Sequence, residues 1–156
     1  MRTYYFFSGF DRENGFSSNI AESLRENITD RKSLVFIASN PCGHERTDFH
    51  IGYQTNWFNN SGIMFEAIYI LDDRKTEAEC AVIINNASAI FLCGGTTLLQ
   101  IEFIQKNNLV PLLRKFNGTI MGMSAGAINM ADYSVIANPK HLPVKTFEGM
   151  GLLHIE

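Results

Sequence analysis

The stretch Gly118–Met130, GTIMGMSAGAINM, sets one serine between two glycines, after a short apolar run and before residues that favour a helix. Gly122 and Gly126 leave room for a tight backbone reversal, and Ser124 stands at its tip. A serine placed there is either a nucleophile or an ordinary turn residue, because many G-x-S-x-G matches are plain turns or phosphate loops. A nucleotide site is the weaker reading: GMSAGA is not G-x-G-x-x-G, and no Gly-Lys-Ser/Thr follows a glycine loop.

Working outward, apolar runs of strand length recur: TYYFFSG at 3–9, SLVFIASN at 33–40, EAIYILDD at 66–73, SAIFLCGG at 88–95 and TIMGMS at 119–124. They are continuous rather than alternating, which predicts strands buried on both faces. Helical segments separate them, from Ser17, Arg46, Arg74 and Thr96. Strand alternating with helix predicts an α/β fold, a mainly parallel sheet between two layers of helices. Such a sheet collects ligands at the carboxyl ends of its strands. Those ends read Ser8-Gly9, Ser39-Asn40, Asp72-Asp73, Gly94-Gly95 and Ser124, a polar and glycine-rich set. Asn138–Lys145 predicts an irregular surface loop, and GLLHIE at the C-terminus predicts one more strand.

Composition narrows the classes. At 156 residues, with 46% hydrophobic and 19% charged residues, the expectation is one globular domain over 1–156. A formal net charge of -3 gives no electrostatic footprint for nucleic acid or an anionic membrane. Cys42, Cys80 and Cys93 lack metal-type spacing, and with no signal sequence or membrane-length run they read as reduced thiols of a cytoplasmic protein.

A catalytic serine needs a base and backbone donors for the oxyanion. Ala125, at the helix start, offers one N–H, and Gly94 or Gly95 offers another where the absent side chain lets backbone approach a ligand. Among histidines, His141 on the loop after the elbow is a weak substitute base, set against a solvated loop residue. His154 reads as structural, and His44 and His50 read as a polar helix start. Arg46 could meet a substrate carboxylate, although surface solvation is the safer reading. Tyr53, Trp57 and Phe58 read as filler between helix and sheet, and Leu98, Leu99, Ile101, Phe103 and Ile104 as a core-facing stripe.

The residues Phe91–Ala131, FLCGGTTLLQIEFIQKNNLVPLLRKFNGTIMGMSAGAINMA, resemble the serine peptidases of the dipeptidase E (alpha-aspartyl dipeptidase) and cyanophycinase group. The resemblance implies a three-layer fold related to class I glutamine amidotransferases, with attack by Ser124 and the oxyanion held at Gly94 or Gly95 and Ala125. It implies hydrolysis of short peptides through an acyl-enzyme, N-terminal aspartyl peptides first, with no metal or organic cofactor. The family commonly shows Gly-Gly-Gly-Asn-Thr where this chain has CGGTT, Cys93–Thr97, and carries a downstream acid where this chain reads ANPKH, Ala137–His141. It places its histidine beyond the position of Glu156, so the expectation is a fold lacking its C-terminal part, with self-association covering exposed sheet. The alternative is a catalytically silent α/β domain kept for binding or assembly. An α/β-hydrolase esterase is a weaker third choice, and an amidotransferase is disfavoured because the elbow carries serine instead of a thiol.

Overall fold

The computed structural model describes residues 2–136 and 144–153. The apolar runs become β1 (Thr3–Phe7), β2 (Ser33–Ile37), β3 (Ala67–Leu71), β4 (Ala89–Leu92) and β5 (Thr119–Met123). They form one five-stranded sheet in the order β1-β5-β4-β2-β3 with every pairing parallel, in registers such as Tyr5↔Met121 and Val35↔Ile90. Burial follows that order. The inner strands β2 and β4 are wholly buried, whereas the edge strands leave Phe6 and Tyr69 exposed. Burial on both faces, expected of all five runs, therefore holds for the centre and fails at β1 and β3. Continuous apolar letters cannot tell an edge strand from a central one.

Helices cover both faces. Leu34, Phe36, Phe91 and Met121 pack against Leu24 of α1 (Ser18–Asn27) and against Ile51, Trp57 and Phe58 of α2 (His44–Asn60). Val35, Ile37, Ile90, Leu92 and Ile120 pack against α3 (Glu77–Asn85), α4 (Thr97–Lys106) and α5 (Val110–Lys115) through Cys80, Ile84, Ile101, Phe103, Ile104 and Leu113. Each fully buried Leu, Ile or Phe contributes about 1.5–3 kcal/mol, so the two cores fix the strand order. Of the stripe expected on α4, Ile101, Phe103 and Ile104 are buried, Leu98 is half-buried and Leu99 faces solvent. A capping box starts α3: the Thr76 hydroxyl accepts the Glu79 N–H, and the Glu79 carboxylate accepts the Thr76 N–H. Pro111 in the first turn of α5 loses no helical hydrogen bond.

The short α6 (Ala125–Asn129) follows β5, and an antiparallel pair, β6 (Tyr133–Ile136) with β7 (Lys145–Glu148), follows α6. Two expectations change here. Lys145, read as loop, begins β7, and Gly151–Leu153, read as the start of a strand, has no strand conformation. Instead the Met150 N–H donates to Asn129 O and the Leu152 N–H to Met130 O, which seats both buried side chains under α6. His141 and His154 lie outside the described residues. Among the described residues no helix is long and apolar enough to cross a membrane.

Candidate active site

All five strands point the same way, so their carboxyl ends share one side of the sheet. The neighbours β1, β5, β4 and β2 bring Ser8, Ser124, Gly94 and Ser39 to the rim of one cavity of about 400 Å³. Asp72 and Asp73 do not line it. The reason is topological: β3 is the far edge, separated from β5 by β2 and β4.

The elbow is built by close packing. A Cβ on Gly122 would lie 2.7 Å from the Ala127 nitrogen, and one on Gly126 would lie 2.2 Å from Leu92 O. Only glycine lets α6 turn back this tightly across the ends of β5 and β4. Ser124 takes φ 49°, ψ -108°, close to the first central residue of a type II′ turn, a region dominated by glycine. The Ser124 N–H donates to Phe7 O at 2.7 Å and its carbonyl accepts the Ile128 N–H, so the residue is pinned by β1 and by α6. Its side chain is exposed on the cavity, and its hydroxyl has no hydrogen-bond partner among the described residues. Ala125, the first residue of α6, is buried beside it, with an N–H of the kind a helix start leaves unused.

Gly94 lies against the serine. A Cβ there would meet Met123 Cε at 3.1 Å and Ser124 Cβ at 3.5 Å. Gly95 has φ 141°, and a Cβ on it would run into Ser39 Oγ at 2.3 Å. The Ser39 hydroxyl donates to Gly94 O at 2.7 Å and ties this loop to the end of β2. The structure thus brings Ser124, Ala125, Gly94 and Gly95 together.

Beneath the loop lies a buried polar network not expected from the sequence. Gln100 Nε2 donates to Ile37 O at 3.0 Å and Cys93 O at 3.1 Å, and Asn129 Nδ2 donates to Thr97 O and to Gln100 Oε1, each at 3.0 Å. Both side chains are fully buried. They join the ends of β2 and β4 to α4 and α6, which carry the two sides of the site. An amide inside the apolar stripe of α4 was the available signal. Cys93, next to Gly94, is no rival nucleophile, since burial pushes its thiol up to about 12.

The far wall comes from α2 and the loop after β1. Arg12, Arg46, His50, Tyr53 and Trp57 line the cavity with Ser124, so Trp57 and Tyr53 are lining as well as filler, while Phe58 is core. His50 Nδ1 lies 2.6 Å from Tyr53 Oη, and Arg46 Nε donates to His50 Nε2 at 3.3 Å. Burial first, then the charges of Arg46 and Arg12, hold His50 below the usual imidazole range, so the ring is neutral at pH 7 and accepts at Nε2. Both ring nitrogens are engaged, and His50 is not free to serve Ser124. His44 sits on the other side of the α2 start, bound to Asp73, whose carboxyl is lowered mainly by that contact and then by Cys42. His44, Asp72 and Asp73 bring ligand atoms within 4.8 Å of one another, yet Arg74 occupies both Asp72 oxygens and Asp73 holds His44.

The structure is a parallel α/β sheet with a serine at a strand-to-helix elbow, set against the Gly94 backbone at the rim of a cavity. The chain belongs to peptidase family S51, whose family model matches residues 7–156. Among curated proteins none matches. Two solved structures show the same fold. One, from Listeria monocytogenes EGD-e and assigned as a peptidase E protein, has a TM-score of 0.69 at 15% identity, over 98% of this chain and 76% of that one. The other, a peptidase from an acI-B1 Actinobacterium, has a TM-score of 0.67 at 14% identity, over 96% of this chain and 64% of that one.

Proposed function

We propose that this peptidase is of the serine type, with Ser124 as the nucleophile, acting on short peptides. The observation that carries the reading is the exposed Ser124 side chain, held at positive φ at the cavity rim beside the Gly94 backbone. In this reading Ser124 Oγ attacks the scissile carbonyl carbon and its proton passes to a base. The oxyanion is held by N–H groups of Ala125 and of Gly94 or Gly95, at about 3 kcal/mol per donor. Collapse expels the amine, which takes a proton, and water then cleaves the acyl-enzyme to release the acid. Resemblance puts N-terminal aspartyl peptides first among substrates. A fluorophosphonate probe tests the reading: wild type should label with loss of fluoride at Ser124 and Ser124→Ala should not, and equal labelling of the two would refute it.

One observation favours the competing reading, a binding fold without turnover. No base stands within hydrogen-bond reach of Ser124 among the described residues. Under that reading wild type stays unlabelled while still binding peptides.

A further inference from the structure

The peptide between Gly94 and Gly95 is held by its carbonyl. At the end of β2 the half-buried Ser39 donates its hydroxyl to Gly94 O at 2.7 Å. The same hydroxyl fills the space a side chain on Gly95 would need, since a Cβ there would collide with Ser39 Oγ. Ser39 is itself anchored: the N–H of the fully buried Ala38 before it donates to Leu71 O at 3.0 Å. Without that hydroxyl, two adjacent glycines would leave the plane between them free to rotate.

Holding the carbonyl also sets the direction of the amide. Among the described residues every peptide is trans, and a trans peptide points its N–H opposite to its C=O. Gly94 O points to Ser39, on the side of β2. In the sheet β4 lies between β2 and β5, so the Gly95 N–H is turned toward β5, whose end carries Ser124. The gap there is narrow, because a Cβ on Gly94 would come within 3.5 Å of Ser124 Cβ. Among the described residues neither the Gly95 N–H nor the Ala125 N–H has a backbone acceptor. Gly95 keeps this setting at φ 141°, a value that residues with a side chain rarely adopt.

We infer that Ser39 is a positioning residue: by holding Gly94 O it aims the Gly95 N–H at the oxygen that becomes negative when Ser124 attacks. This role rests on the reading of Ser124 as the nucleophile. Ser39 acts through Gly94 and exchanges no proton with the substrate.

Residues 94 and 95 are the one Gly-Gly pair in the sequence. Protein grown on glycine carrying carbon-13 at its carbonyl and nitrogen-15 at its amide therefore has a single doubly labelled peptide bond. By NMR the Gly94 carbonyl of that bond reports its own hydrogen bond, and the Gly95 amide proton reports the oxyanion. Wild type and Ser39→Ala are compared before and after reaction with a neutral fluorophosphonate. Their rates are also measured with the matched fluorophosphonothioate, whose sulfur accepts hydrogen bonds weakly, and urea unfolding monitors the fold. In wild type the Gly95 amide proton should move downfield on labelling, because its N–H donates to the phosphonyl oxygen. Ser39→Ala should shift the Gly94 carbonyl signal of the free protein and abolish the downfield move. The same variant should slow the fluorophosphonate roughly tenfold or more and leave the thio probe nearly unaffected. A hydroxyl with a structural role alone would lower the urea midpoint and leave the oxygen-to-sulfur rate ratio as it is in wild type. That result, or a Gly95 proton that stays in place in labelled wild type, overturns the role of Ser39. Failure of wild type to label at all overturns the nucleophile itself, and the positioning role falls with it.

Discussion

Replacing Ser124 with glycine should stabilise the fold while removing its proposed nucleophile. Ser124 holds φ 49°, ψ -108°, a conformation that costs a residue with a Cβ roughly 1–3 kcal/mol. Glycine adopts the same angles freely, because they mirror an ordinary extended conformation. Against this gain stands the greater entropy of glycine in the unfolded chain, about 0.4–1 kcal/mol. The hydroxyl itself contributes little to the balance, being exposed and without a hydrogen-bond partner among the described residues. The net expectation for Ser124→Gly is a gain of about 1 kcal/mol, or roughly 2–4 °C in melting temperature for a chain of this size. Ser124→Ala keeps the Cβ and the strain, and should stay within about 0.5 kcal/mol of wild type. Urea unfolding of the three proteins, with unchanged m-values, reads the difference directly. If the glycine variant proves no more stable than the alanine variant, the elbow stores no strain and the argument from its backbone angles fails.

Gln100→Met should cost about 3 kcal/mol, because Ile37 O and Cys93 O lose their buried donor and Asn129 loses its acceptor; a urea midpoint equal to wild type would contradict the network's role. Thr76→Ala should cost about 1 kcal/mol through the lost cap. The same change should flatten part of the acid-induced loss of stability. The Glu79 carboxyl is lowered chiefly by the Thr76 N–H and then by its hydroxyl, so its contribution is present above the unfolded value of about 4.3 and lost as pH falls through the lower folded value. Denaturation curves at several pH values between neutrality and strong acid would show this, and parallel losses in the two proteins would contradict it. Gly52→Ala, on the exposed face of α2 with nothing within 4 Å of the added Cβ, should stabilise by about 0.5–1 kcal/mol, read as a rise in melting temperature.

The sheet was legible in the sequence because its strands are apolar throughout and each ends in a glycine or small polar residue. The elbow was legible because Gly122 and Gly126 are forced by contacts closer than any side chain allows. What the letters withheld was strand order. The strand ends at Asp72-Asp73 and at Ser39-Asn40 looked equally eligible for the site, and only the position of β3 at the far edge removes the first pair. The β6–β7 pair was missed because KTFE and YSVI are short and, apart from Ser134, carry no fully buried residue, so they lack the apolar run that marks the main strands. His50 and Arg46 read as a solvated helix start because their partner surface, the loop holding Arg12, lies far away along the chain and meets them through Phe49, Tyr53 and Trp57.

That separation explains why the two halves of the cavity differ in kind. The Ser124 side is set by backbone: hydrogen bonds to Phe7 and Ile128, glycines with no room for a Cβ, and the Gln100–Asn129 network below. Such constraints suit a group that must stay within a fraction of an ångström of its reacting partner. The opposite side is set by side chains, Arg12 over the rings of Phe49 and Tyr53 and Arg46 donating to His50, a surface that can change residue by residue without disturbing the sheet. Gln100→Met should therefore slow labelling of Ser124 by a neutral fluorophosphonate relative to wild type, and an unchanged rate would show that the network below does not set the serine's position.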